Sequence, residues 1–194
     1  MYPESQRRLR VAFMPAESAL IIFYRGSGTD HAGRRLAEIL SWDDAHLEGV
    51  HDYIQWLFPN TDVSRANSFA PLLTPADTAT FRSEPELRAT LGRAFDRMLR
   101  FYGLTRESSA DGGFEIAPSA NWEARSRNWL QPSNHNHLRL TRIMKCLNEL
   151  GLEQDAHALQ RTLVGLAEQR GTRAVSSVTL RYWRAALQGS SARE

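Results

Sequence analysis

An all-α fold, a single compact domain of about six to eight helices with two irregular loops, is what this 194-residue sequence predicts. Two observations predict it. Apolar residues recur at spacings of three and four in several stretches, each bounded by a capping residue and a glycine or proline stop. No stretch alternates apolar and polar residues convincingly over the length of a strand. The size suits the reading, because a chain this long buries roughly 70% of the surface that its unfolded form exposes. Hydrophobic residues make up 42% and charged residues 24%, an ordinary globular balance.

The elements follow in order. ALIIFYR (19–25) reads as a strand or a short buried helix. Ser41 with Asp44 three residues on resembles a capping box, and the helix it opens runs to Phe58, where Pro59 stops it. That central helix carries residues 51–58. Thr74 caps the next, with Pro75 at the first helical position and Asp77 in the first turn. SEPE (83–86) repeats the logic ahead of Leu87, Leu91, Ala94, Met98 and Phe101, and Gly103 ends the run. Leu140, Ile143, Met144, Leu147 and Leu150 form another stripe, closed by Gly151. Ala156, Leu159, Leu163 and Leu166 make its partner, ending near Gly171, and the short LGLEQD connection predicts an antiparallel pair. A last helix from about Ser177 carries Val178, Tyr182, Trp183 and Leu187. The irregular stretches are 60–73 and 104–133. In the second, RESSADGG (106–113) reads as mobile, and the part with Trp122 and Trp129 is expected to lie down on the helices. Residues 1–15 and 189–194 read as flexible tails of the one domain, 1–194.

Several function classes fall away. No apolar run approaches the roughly 20 residues that span a bilayer, and the start lacks the apolar core of a signal peptide. A soluble cytoplasmic protein is expected. Cys146 is the single cysteine, so no intrachain disulfide forms and no cysteine metal framework exists. No phosphate-binding loop, G-x-S-x-G or G-x-G-x-x-G occurs, and no cofactor is expected. Net charge is only +2. Of the 24 basic residues, one is a lysine (Lys145), leaving 23 arginines. They are scattered rather than blocked, so nucleic acid is not an expected partner.

Two polar clusters remain as candidate sites. HDYIQWLFP (51–59) is one. On a helix, Val50, Tyr53, Ile54, Leu57 and Phe58 share a broad apolar face and Trp56 lies on the far side, a pattern that belongs in the interior. His51 and Gln55 sit one turn apart on one side and need polar partners. NHNHLRLTR (134–142) is the other. Ser133 or Asn134 can cap the helix, Arg139 borders its apolar face and Arg142 lies one turn along. His135 and His137, two apart, point to different sides and lack metal-ligand spacing. Arg139 and Arg142 beside a helix N-terminus can hold a carboxylate or phosphate; the structural alternative pairs them with nearby acids or with loop carbonyls. If the two clusters pack together, His51 or Gln55 lies within one side chain of Arg139, His135 or Asn136, with Trp129 covering the spot. The ligand-binding candidates are therefore His51, Gln55, Trp56, Trp129, His135, Asn136, Arg139 and Arg142, with no catalytic and no metal-ligating residue.

HDYIQWLFP, followed by APLLT, MLRFYGL and HNHLRLTRIMKCLNELGLE, resembles the conserved N-terminal region of the opioid growth factor receptor family. FYRGSGTDHAGRRLAEILSWDDAHLEGV upstream and NWLQPSNHNHLRLTRI downstream fit it in the same order. The resemblance covers about residues 20–165. The long repetitive C-terminal region of the animal receptors is not in this sequence, which implies a bare N-terminal domain of bacterial origin. The animal members are described as binding a small enkephalin peptide and restraining cell proliferation, around and in the nucleus. The resemblance assigns no role to any single residue. It implies a non-enzymatic, receptor-like binding module whose ligand is a peptide or small molecule, with a protein partner as the other class. An enzyme using His51, His135 and Arg139 is the runner-up, and nucleic-acid binding by arginine faces the third reading. The oligomeric state is not written in the sequence.

Overall fold

The computed structural model describes residues 17–62, 67–108 and 113–188. Both tails fall outside the described residues, as do parts of the two irregular stretches, 63–66 and 109–112. Helices dominate, and a small antiparallel sheet modifies the all-α expectation.

Four short helices open the fold. The ALIIFYR segment is helical: α1 spans Ala19–Tyr24, and the Ser18 hydroxyl caps it by accepting the Ile21 N–H at 3.2 Å. The single helix expected from Ser41 to Phe58 is instead three, α2 (Leu36–Ser41), α3 (Asp44–Gly49) and α4 (Ile54–Leu57). Asp43, not Ser41, caps α3, taking the His46 N–H at 2.8 Å. Val50 then goes extended at φ −96°, ψ 136°, and breaks the helix. The break is held by tertiary bonds: the Tyr53 hydroxyl donates to the Leu47 carbonyl at 3.1 Å. Packing of one large ring outweighs the helical periodicity of 44–58.

The capped elements stand where the sequence puts them. α5 (Pro75–Ser83) carries a complete capping box between Thr74 and Asp77. α6 (Pro85–Tyr102) ends at Gly103, left-handed at φ 76°. A β-carbon there would lie 2.8 Å from the Arg125 Cβ, so the turn excludes any other residue. After Gly103 comes a hairpin, β1 (Leu104–Ser108) and β2 (Phe114–Pro118), with Leu104 opposite Pro118 and Arg106 opposite Ile116. The segments 104–108 and 114–118 are thus sheet rather than irregular loop.

The second half of that stretch does lie on the helices. It forms α7 (Trp122–Ser126), and Trp122 and Trp129 are both buried. α8 (Asn136–Glu149) and α9 (Glu153–Arg170) are the expected pair, turned at Gly151. A 3₁₀ turn, Gly171–Arg173, leads to α10 (Ser177–Ala185), capped by Ser176. One hydrophobic cluster joins all these elements. Its largest fully buried side chains include Trp129, Trp183, Tyr53, Tyr102 and Phe58.

Candidate functional site

Most of HDYIQWLFP is core. Every residue from Tyr53 to Pro59 is buried, and Trp56 packs edge-on against Phe23 with ring centroids 5.3 Å apart. The polar residues at its margin form two clusters on either side of the segment 48–52, each joining a histidine to a carboxylate.

The first cluster is closed. The Trp56 indole N–H donates to His31 Nδ1 at 3.1 Å. That fixes Nδ1 as an acceptor and places the ring proton on Nε2, which faces Asp52 Oδ2 at 3.0 Å. Arg34 then bridges Asp52 at 2.9 Å and Asp30 at 2.6 Å. Burial works against the Asp52 carboxylate, but Arg34 outweighs it and its pKa is lowered. Phe69 stacks on the open face of His31, centroids 5.6 Å apart and planes 6° from parallel, while remaining 69% exposed itself. Both ring nitrogens of His31 are thus spent inside the protein.

The second cluster is open. Glu48, at the end of α3, receives the Asn136 side-chain N–H at 3.1 Å, and His135 Nε2 lies 3.4 Å from its carboxylate. The His51 and His135 rings touch at 5.1 Å between centroids. His51 makes no hydrogen bond among the described residues, and the His135 and Glu48 side chains are 41% and 37% exposed. Burial lowers the His135 pKa, and the neighbouring Arg139 and His51 push it the same way against Glu48. The ring is therefore neutral near pH 7, able to donate or accept.

Arg139 builds the platform under this cluster. Its guanidinium donates to the Leu47 and Val50 carbonyls at 2.9 and 2.8 Å and to Asn136 Oδ1 at 3.3 Å. A cation at the C-terminus of α3 also complements that end of the helix. Its Cζ lies 5.5 Å over the Tyr53 ring, whose hydroxyl pKa burial pushes up to about 12. Arg142 works alike, donating to the Phe58 carbonyl at 3.2 Å. Both arginines grip backbone carbonyls of 47–58 and not an anion at the α8 N-terminus, because the broken helix leaves those carbonyls without partners.

The structure therefore brings His51, His135, Asn136 and Arg139 together and sets the other candidates apart. His51 and Gln55 no longer share a helical side: His51 is exposed, while Gln55 is buried with its Oε1 unpartnered among the described residues. Trp56 belongs to the closed cluster. Trp129 donates its indole N–H to the Tyr102 carbonyl at 3.0 Å, and Tyr102 in turn reaches Asn136 Oδ1 at 3.4 Å. Its position is one shell beneath the site and not over it. His137 donates from Nε2 to the Trp129 carbonyl at 2.9 Å and is a core residue. Sequence reasoning missed Glu48, Asp52, His31 and Phe69. GTDHAG carried a signal, a turn-forming aspartate beside a histidine, but nothing local to 26–34 points to Trp56.

Comparison with known proteins places the chain. Residues 29–194 match the family described as the opioid growth factor receptor conserved region. An opioid growth factor receptor of Rattus norvegicus is 41% identical over 124 residues, covering 62% of this chain and 21% of the relative. That of Homo sapiens is 41% identical over 115 residues, 58% of this chain and 16% of the relative. An opioid growth factor receptor-like protein 1 of Mus musculus is 37% identical over 124 residues, 62% and 26%. The match thus spans about a quarter or less of these relatives' length. All three are vertebrate proteins and give no support to a bacterial origin. No solved structure matches the chain.

Proposed function

Because the chain belongs to the opioid growth factor receptor conserved-region family, we propose that it is a receptor-type binding domain without catalytic activity, its ligand a peptide or small molecule held at the open cluster. The carrying observation is the state of His51, His135 and Glu48. They present unspent hydrogen-bonding atoms to solvent on a backbone that Arg139 locks from beneath. Recognition sites have this character, a few polar groups held rigidly in place. The exposed Phe69 ring, stacked on His31, belongs to the closed cluster and not to this site.

The bonding of Arg139 and of His31 favours binding over catalysis, while His51 and His135 keep ring nitrogens for a ligand. A general base needs a ring nitrogen within reach of substrate. His31, which has the carboxylate partner of a catalytic dyad, has neither nitrogen left over. Arg139, a member of the enzyme reading, spends its donors on carbonyls and an amide oxygen. Calorimetric titration with opioid growth factor, the ligand carried in the relatives' names, tests the proposal. Saturable heat that His51→Ala and His135→Ala each weaken by about tenfold, the loss of one good polar contact, is the expected result. No heat, or heat that both variants leave intact, contradicts it.

A further inference from the structure

The net charge of +2 conceals a strong asymmetry. Residues 157–194 carry six arginines against two glutamates, a net +4, so the preceding 156 residues, with 18 cations and 20 anions, carry −2. Within the described part of this segment, Arg161, Arg170, Arg173, Arg181 and Arg184 stand on α9, the 3₁₀ turn and α10, and all are exposed. Arg184 is neutralised by Glu168 at 2.6 Å. Arg161, Arg170, Arg173 and Arg181 form no ion pair among the described residues. Of the acids of α9, Glu153 and Asp155 sit in its first turn, about 25 Å along the helix from Arg170, and Glu168, near that end, is spent on Arg184. Arg170 in the last turn has a structural role, since a cation there complements the helix dipole. The other three have no such demand on them.

Beside these charges lies an exposed ring. Tyr182 is 63% exposed on α10, next in sequence to Arg181, and Val178 one turn earlier is 48% exposed. Guanidinium groups grip phosphate oxygens in a bidentate fork, and unpaired bases stack on exposed aromatic faces. We infer that the basic surface along α9, the 3₁₀ turn and α10 binds single-stranded nucleic acid, its arginines on the phosphates and Tyr182 beneath a base. A membrane surface fits less well. The large ring of α10, Trp183, is fully buried against His137, which leaves too little apolar area for insertion. The inference uses none of the residues of the proposed receptor site and stands apart from that reading.

Fluorescence anisotropy of a labelled 20-nucleotide oligothymidylate, with the full chain in about 50 mM salt, tests it. Binding is expected, with log affinity falling against log salt at a slope of about −3, since each of four phosphates contributes about −0.7 for a single strand. The variant with Arg161→Gln, Arg170→Gln, Arg173→Gln and Arg181→Gln is expected to bind at least about tenfold more weakly. Its melting temperature falls by a few degrees at most, because the side chains are exposed and unpaired and only Arg170, on the helix dipole, contributes. Tyr182→Ala is expected to weaken the oligothymidylate about fivefold or more and a duplex of equal length hardly at all. No binding to the oligothymidylate overturns the inference, as does undiminished binding by the quadruple variant. An equal effect of Tyr182→Ala on duplex and single strand overturns the single-strand assignment. Capture on phosphatidylserine vesicles with no oligonucleotide binding assigns the surface to membranes instead, and overturns it too.

Discussion

His31 and His135 both face a carboxylate across the same short segment, and the protein uses them in opposite ways. His31 is closed: Trp56 occupies one nitrogen, Asp52 the other, and aromatic rings flank it. His135 is open: one nitrogen lies 3.4 Å from Glu48, and a second, exposed histidine leans against it. A histidine–carboxylate pair is therefore no sign of function by itself. What separates the two is whether any polar atom is left for a ligand. The closed pair braces Trp56 and the core below it; the open pair faces solvent.

That contrast breaks first at Trp56. Trp56→Ala removes a buried ring that packs on Phe23 and anchors His31, and is expected to cost about 3–5 kcal/mol in chemical denaturation. A loss below about 1 kcal/mol would show that the closed cluster braces nothing. Next in size is Arg139→Met. It leaves the half-buried Val50 carbonyl without its donor and the Leu47 carbonyl with the Tyr53 hydroxyl alone, at about 1–3 kcal/mol in all. It also frees the 48–51 backbone, so ligand affinity falls with it; intact affinity at lowered stability would detach the platform from the site.

A pH series sharpens the comparison further. Burial lowers the pKa of His135 and, more deeply set, of His137. The unfolded chain then takes up protons that the folded chain refuses. Their contribution to stability is complete above about pH 6.5, the ordinary histidine value, and is lost as pH falls from there through the folded pKa. Denaturation at pH 7.5, 6.5 and 5.5 should show declining stability, and His137→Gln should flatten the decline. A flat wild-type profile would refute the neutral assignment. The smallest expected effect is His51→Ala, within about 0.5 kcal/mol of the parent, because an exposed ring without hydrogen bonds holds nothing up.

Legibility in the sequence tracks locality. Thr74–Pro75–Asp77, Pro85 to Gly103 and the α8–α9 pair carry their caps and stops within a few residues, so each was readable. The break at Val50 was not, because it answers to the Tyr53 ring and to Arg139, 89 residues away. The hairpin was readable in principle: DGG between LTRES and FEIAP is a turn signal between β-prone segments, overlooked because neither strand alternates cleanly. In the site, His51, His135, Asn136 and Arg139 were legible as polar residues stranded near apolar faces. Glu48 and His31 were not, since their meaning comes from partners 88 and 25 residues distant.

On the proposed reading, ligand meets the open pair and spares the closed one. Imidazole C–H resonances of His31, His51, His135 and His137, assigned by substitution, follow all four rings at once during titration with opioid growth factor. The His51 and His135 resonances are expected to move with a common saturation curve while those of His31 and His137 stay in place. Shifts confined to His31, or no shift in any of the four at saturating peptide, would contradict it.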